Sequence, residues 1–416
     1  MTRILFCSLQ VSESASKGHL NPLIGVVQHL HRQGHEIGWM SLPRSMGADD
    51  SAQVRASGAT ILPTPALADA VIPSGQELSR LALDGERVWE AYRSFLLAPV
   101  PYLLDAVCEA MRAFAPAAIA VDCMAYAGII AAERLGVPYV GVCAGLKILK
   151  EGPFQPAYMN DMDRLLPLRK ALFERYGLAP EFRLLECLSR FANVVFTTRA
   201  FVGDMAVPAN VHLVGPSTPL GLRGDEPAFP WEQLRVDRPI VYAAFGSVHT
   251  KDALADILTS LGAATRRLGA QLVVSSEALA ARNPVPDEDF LVISYAPQPQ
   301  LLERVDAFLT HGGANSVMEA LCAGTPLLIV PLSNDQPWQA HLVTQRGVGI
   351  CLERKALNVE SCTNALARLL PSQSEFRRNL AQVRASYRQH NGAQEAARIL
   401  LHLAGVQQNT EASADG

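Results

Sequence analysis

Apolar residues fall in short unbroken runs separated by stretches of helical period, and this rhythm occurs twice along the chain. Arg3–Leu9 (RILFCSL) reads as a strand buried on both faces. A polar loop is expected to Asn21, then a helix over Pro22–Gln33, with Pro22 at an early helical position and Gly34 as terminator. Ile37–Leu42 restores strand character, so the chain opens as a βαβ unit and predicts a parallel sheet. The alternation returns at Ala118–Val121, Ala125–Leu135 and Tyr139–Val142. Between them Glu77–Met111 is long and helical, with Pro99 and Pro101 expected to break it into pieces. Asn193–Thr197 is expected to be the last strand of this half.

Val214–Pro239 then carries a run of glycines and prolines, including Gly215, Pro216, Pro219, Gly221 and Gly224, and reads as a linker. The second half restarts with a buried strand at Ile240–Phe245 and a helix over Asp252–Leu268. Further strands are expected at Leu272–Val274, Leu291–Ile293, Ala307–Thr310 and Pro326–Val330. The division is therefore an N-terminal domain at 1–215, a linker at 216–238 and a C-terminal domain at 239–390. A helix at 391–406 is expected to pack back on the N-terminal domain, ahead of a disordered tail at 407–416. The fold class is α/β, with two doubly wound Rossmann-like domains facing each other across a cleft. Ligands in such sheets bind at the carboxyl ends of the strands.

Composition supports two packed cores. The chain has 416 residues, 49% hydrophobic and 18% charged, and a net charge of −4 without a basic block. Nucleic acid is an unsuitable partner for such a surface. The eight cysteines form no CxxC pair and mostly sit in apolar runs, which points to buried thiols and the cytoplasm. The N-terminal apolar run is too short for a signal peptide. Ala113–Ala132 is the most membrane-like stretch, but Pro116, Asp122 and Gly128 interrupt it, so no integral membrane segment is expected.

Candidate chemistry concentrates where the strand ending at Thr310 meets His311-Gly312-Gly313-Ala314-Asn315-Ser316. Glycines let a ligand approach the backbone, and the free N–H groups of a helix start favour an anion. Asn315, Ser316 and His311 add donors, and Glu319 lies one turn further on, placed for vicinal ribose hydroxyls. An ordinary turn with Asn315 as helix cap fits this spacing equally well. Separated companions extend the pattern: Tyr295-Ala296-Pro297-Gln298 before it, Gly324-Thr325-Pro326 and Asn334-Asp335-Gln336 after it. Together they resemble the signature of family 1 glycosyltransferases, UDP-sugar-dependent enzymes of the GT-B fold. The resemblance spans about a tenth of the chain.

The resemblance implies that Tyr295, where most relatives carry tryptophan, stacks on the base and Gln298 contacts its edge. It assigns His311, Gly313, Asn315 and Ser316 to the diphosphate, Glu319 to the ribose, and Ser247 in Phe245-Gly246-Ser247 to a phosphate. Asp335-Gln336 matches the pair that contacts sugar hydroxyls; glutamine there goes with glucose, so UDP-glucose is the expected donor. Gly18-His19 with Pro22 resembles the catalytic GHxxP segment. His19 is then a general base at the acceptor hydroxyl, oriented by Asp122. Without the family, His19 reads as a solvated loop side chain and Asp122 as a helix cap.

The other histidines form no metal-spaced cluster, and Asp161-Met162-Asp163 and Asp287-Glu288-Asp289 do not follow buried strands, so no metal or other cofactor is expected. No GxGxxG or Walker lysine motif is present. The expected reaction is an inverting hexosyl transfer to a small hydrophobic acceptor, in the manner of bacterial natural-product and antibiotic glycosylation. Trp89, Tyr92, Phe95, Tyr102, Phe154 and Tyr158 would supply its apolar surface, and fit a domain core equally well. A lipid acceptor with peripheral membrane contact stays open, as do a UDP-sugar 2-epimerase of the same fold and a non-catalytic sugar-nucleotide-binding helper.

Overall fold

The strands are runs of Val, Ile, Leu and Ala with almost no exposed position, the composition of sheets covered on both faces. In the computed structural model, which describes residues 1–11, 17–68, 71–74, 77–78, 80–81, 87–149, 162–221, 223–224, 226–246, 251–282, 288–333 and 335–405, they form two parallel sheets. The first contains β1 (Arg3–Gln10), β2 (Glu36–Pro43), β3 (Thr60–Ile61), β4 (Ala118–Asp122), β5 (Tyr139–Cys143), β8 (Ala192–Val195) and β9 (Val211–Leu213), in the order β3-β2-β1-β4-β5-β8-β9. A two-stranded antiparallel hairpin, β6 (Phe182–Arg183) and β7 (Glu186–Cys187), stands apart from it. The second sheet contains β10 (Ile240–Ala244), β11 (Gln271–Ser275), β12 (Phe290–Ile293), β13 (Ala307–Thr310), β14 (Leu327–Ile329) and β15 (Gly349–Cys351), in the order β12-β11-β10-β13-β14-β15. Each sheet reverses its winding beside its first strand, between β1 and β4 and between β10 and β13. Those switch points open the crevices in which ligands bind.

Seven helical runs position the site: α1 (Lys17–Arg32), α2 (Val88–Phe114), α3 (Tyr126–Leu135), α4 (Ala314–Ala323), α5 (Gln336–Gln345), α6 (Glu375–Arg388) and α7 (Gly392–Leu403). Two of them differ from the sequence expectation. The first helix already includes Lys17, so His19 lies on its first turn rather than in a loop, and Pro22 sits inside. The polar, glycine- and proline-containing start KGHLNP disguised it. The second run is continuous through Pro99 and Pro101. A π-helical turn at Arg93–Leu97 precedes them, and both prolines fall at the start of a fresh α segment, where their missing N–H groups are not needed. This is the one described helix long and apolar enough to cross a membrane, and more than half of its most apolar window is buried in the protein. Asn193–Thr197 is not the last strand of its half. The three-residue β9 follows it, too short to show a period.

The chain passes between the domains twice. The linker lies along α1, where Ser217 Oγ donates to the Pro22 carbonyl and the Leu220 amide donates to Gln28 Oε1 at 2.8 Å. After α6 the chain returns, and the Gly392 amide donates to the Pro216 carbonyl at 2.8 Å. Then α7 packs on α1 and against β4 and β5. Packing there is close: a Cβ on Gly25 would lie 2.9 Å from both Ala393 Cβ and the Thr218 carbonyl oxygen.

Candidate active site

His19 and Asp122 meet at the switch point of the first sheet because β1 and β4 are direct neighbours, with Cys7 opposite Val121. His19 Nδ1 lies 2.6 Å from Asp122 Oδ2. The other Asp122 oxygen accepts the Met124 amide at 2.8 Å, so the carboxylate is fixed at both ends and 3% exposed. The aspartate does not cap α3, whose N-cap is Ala125. With Nδ1 engaged, Nε2 is the ring nitrogen left to take a proton. Burial alone would depress the imidazole pKa, but the charge and hydrogen bond of Asp122 outweigh it and raise His19 above its ordinary value.

Pro22 has a consequence across the cleft. It has no N–H to offer the carbonyl four residues back, that of Gly18. Asn315 Nδ2 of the C-terminal domain donates to that carbonyl at 3.2 Å and to the Lys17 carbonyl at 3.3 Å. Asn315, expected at the diphosphate, thus touches the helix that carries His19. It does not cap its own helix: Gly313 is the N-cap of α4 and supplies no side chain. The first amides of α4 therefore have no side-chain acceptor from the cap. Gly312 makes the turn at φ +90°, where a Cβ would strike Ile329 at 2.8 Å. A Cβ on Gly313 would stand 2.6 Å from His311 Nε2, so the imidazole lies directly against the helix start.

Gln298, Ser316 and Glu319 come together further along α4. Gln298 Nε2 donates to Glu319 Oε2 at 2.8 Å and lies 3.5 Å from Ser316 Oγ, while the Tyr242 hydroxyl donates to Gln298 Oε1 at 3.2 Å. Tyr295 is 40% exposed. Glu319 carries an unforeseen partner: Arg223 Nη1 donates to Glu319 Oε1 at 2.8 Å, with side chains 6% and 11% exposed. The linker thus supplies a buried arginine to the carboxylate expected to bind ribose. Asp335 is half-buried at the cleft, beside the loop after β5. Gln336 is buried, and its Oε1 accepts the amides of Leu332 and Ser333 at 2.7 and 2.8 Å. Only Asp335 of that pair therefore faces the cleft unencumbered by its own loop. Ser247, and with it His249, Asn334, Phe154 and Tyr158, lies outside the described residues.

Comparison with known proteins bears on this geometry. Residues 229–389, which contain every described donor-side residue named above except Arg223, match the family model of UDP-glucoronosyl and UDP-glucosyl transferases. The NDP-glycosyltransferase YjiC of Bacillus subtilis is 26% identical over 91% of this chain and 93% of its own length. A zeaxanthin glucosyltransferase of Pseudescherichia vulneris is 27% identical over 73% of this chain and 79% of its own. The spinosyn rhamnosyltransferase SpnG, solved with thymidine diphosphate, superposes with a TM-score of 0.70 at 20% identity, over 96% of this chain and 99% of its own. Residues 229–389 therefore carry a UDP-glycosyltransferase domain, and the chain as a whole has the GT-B fold.

The N-terminal half holds a small, partly open apolar cavity near the dyad, bounded by Leu9, Leu42, Phe95, Val100, Met124 and Tyr126. Of the aromatics proposed for the acceptor side, Phe95 lines it, Tyr92 is buried close by in sequence, and Tyr102 is 66% exposed on the outside. Two charged residues near the dyad escaped sequence reading. Lys147 follows β5 on the loop whose Leu146 carbonyl accepts from Trp338 Nε1 of α5 at 3.1 Å. Glu186 begins β7 and is 2% exposed. Neither belongs to a motif, and β6–β7 is too short for alternation to reveal it.

Proposed function

We propose that this enzyme transfers a hexose, glucose in the first place, from its UDP conjugate to a hydroxyl of a small hydrophobic acceptor, with inversion at the anomeric carbon. The carrying observation is the 2.6 Å contact of His19 with Asp122, on the opposite lip of the cleft from the start of α4. His19 takes the acceptor proton as the oxygen attacks C1. The C1–O bond to UDP breaks on the far face, and Asp122 stabilises the imidazolium that forms. The negative charge building on UDP is met by the amides of α4 with His311 and Ser316, and by Asn315 when its amide turns from the Lys17 and Gly18 carbonyls, so the reading calls for no metal.

Tyr295 and Gln298 hold the base, Glu319 the ribose hydroxyls, Ser247 a phosphate and Asp335-Gln336 the sugar, as the family resemblance implies. Glucose is favoured by Gln336 and by the glucosyltransferase names among the relatives. The apolar cavity, and the zeaxanthin, spinosyn and similar products in the neighbours' names, support a hydrophobic natural product as acceptor. The unpaired cysteines and a soluble sugar nucleotide fit the cytoplasm.

The test is incubation of the whole protein with UDP-glucose, dTDP-glucose and a panel of polycyclic phenols and alcohols, with products read by mass and the anomer by NMR. β-Glucosides formed preferentially from UDP-glucose are expected. Isomerisation of the donor without acceptor would replace this reading with the epimerase.

A further inference from the structure

Lys147 and Glu186 both lie close enough to Asp122 and Asp335 to feel their charges, and Lys147 touches a residue of the apolar cavity. The chain of contacts is short. Lys147 Nζ lies 3.6 Å from the sulfur of Met124, which lines the cavity and whose amide is held by Asp122. A Cβ on Gly145 would stand 2.9 Å from Asp335 Oδ2 and 3.6 Å from Lys147 Cε, so that lysine stem runs past the sugar-side carboxylate. Glu186 is tied to the same place, because the next amide, of Cys187, donates to the Cys123 carbonyl just beyond Asp122 at 2.9 Å.

Both groups are poorly satisfied. A thioether is a weak acceptor for an ammonium. Among the described residues no carboxylate closes to ion-pair distance of Lys147, although Asp335, Glu186 and Asp122 all act on its charge. Burial would lower the lysine, yet that ring of acids, Asp335 foremost, pushes it up and keeps it protonated. Glu186 Oε2 is buried with no hydrogen-bond partner, and burial pushes that carboxyl up to about 7. Leaving a buried polar atom unpaired is costly, so a donor and an acceptor left open together mark a place for a polar ligand group.

We propose that Lys147 and Glu186 form a polar recognition pair for the acceptor, so that preferred acceptors are hydrophobic molecules bearing a second hydrogen-bonding oxygen beside the hydroxyl that is glycosylated. The inference rests on the transfer reaction proposed above and names its substrate class. The ammonium donates to that second oxygen and Glu186 accepts from it or from a bridging water, which turns the neighbouring hydroxyl toward His19. The three carboxylates around Lys147 argue against an anionic sugar as the occupant, since its charge would meet theirs.

The experiment compares 2-naphthol with 2,3-dihydroxynaphthalene at saturating UDP-glucose. The expected result is a preference for the diol of about tenfold or more in kcat/KM, because a site built to bind a hydroxyl rejects the analogue lacking it. Lys147→Met and Glu186→Gln should each collapse that ratio, while Lys147→Arg, which keeps the charge, retains most of it. Thermal melts and UDP titration check that the variants fold. Equal turnover of the two naphthols by the native enzyme overturns this inference alone. So does a loss in the variants that appears in the KM for UDP-glucose and not in the acceptor ratio. Failure to glucosylate either naphthol, or any other hydroxyl of the wider panel, overturns the transfer reading and this inference with it.

Discussion

The two halves of this enzyme share one architecture and divide the labour unequally. In the C-terminal half the residues proposed for the donor come mainly from one stretch after β13 and its near neighbours, held by backbone geometry: a turn at Gly312, a helix start at Ala314, a carboxylate one turn on. In the N-terminal half the corresponding surface is gathered from the ends of β1, β4 and β5, the middle of α2 and a small hairpin. A ligand part that stays constant, the nucleoside diphosphate, can be met by backbone and a compact motif. A part that varies between enzymes is met by side chains scattered over several loops. The contrast teaches where a sequence motif can form at all.

The sharpest break of this comparison is a variant that removes chemistry from one half and leaves binding in the other. His19→Ala is expected to lower kcat/KM by about 10²–10⁴-fold, the usual worth of a general base, while calorimetry still registers UDP. Asp122→Asn should cost about 10²-fold or more and also move the pH profile. Asp122 raises the His19 pKa against the pull of burial, so the native acid limb is expected above the ordinary histidine value. Activity rises as pH climbs through it, and in Asp122→Asn that limb shifts to lower pH. A limb that does not move would remove His19 from the role of base.

Arg223 tests whether the linker belongs to the donor half. Arg223→Met leaves Glu319 a largely buried carboxylate without a counter-charge, held only by Gln298, and is expected to cost about 3 kcal/mol in urea unfolding; Arg223→Met with Glu319→Met should recover much of this. In Glu319→Gln, UDP affinity should fall by about tenfold and 2′-deoxy-UDP affinity by less, corresponding to one charge-assisted hydrogen bond. The smallest effect is expected from Tyr295→Trp, about 0.5–1 kcal/mol in UDP binding from the larger stacking face. Equal effects on UDP and on inorganic pyrophosphate would place that ring away from the base.

Much of this was legible in the amino-acid pattern, for reasons that can be named. Strands buried on both faces leave unbroken apolar runs, so β1, β4, β10 and β13 stood out. The strand-glycine-helix junction did too, because its chemistry is contiguous. The start of α1 did not, since Gly18, Asn21 and Pro22 are helix-poor residues that this helix accommodates by giving the Gly18 carbonyl to Asn315. Arg223 sits in a glycine-proline stretch whose composition announces only a spacer. Lys147 and Glu186 lie 39 residues apart on separate loops, and only the tertiary fold brings them to one place.

The return of the chain onto α1 has a consequence for the order of synthesis. Ala393, Ala396, Ala397, Leu400 and Leu401 of α7 are buried in the same cluster as Ile4, Leu20 and Ile24. The N-terminal domain therefore lacks part of its wall until α7 has been synthesised. Its apolar face at α1, β4 and β5 stays open through translation of the whole second domain. A nascent chain of this design cannot complete its halves one after the other, and a message stopped just short of codon 391 leaves the N-terminal domain without its α7 wall.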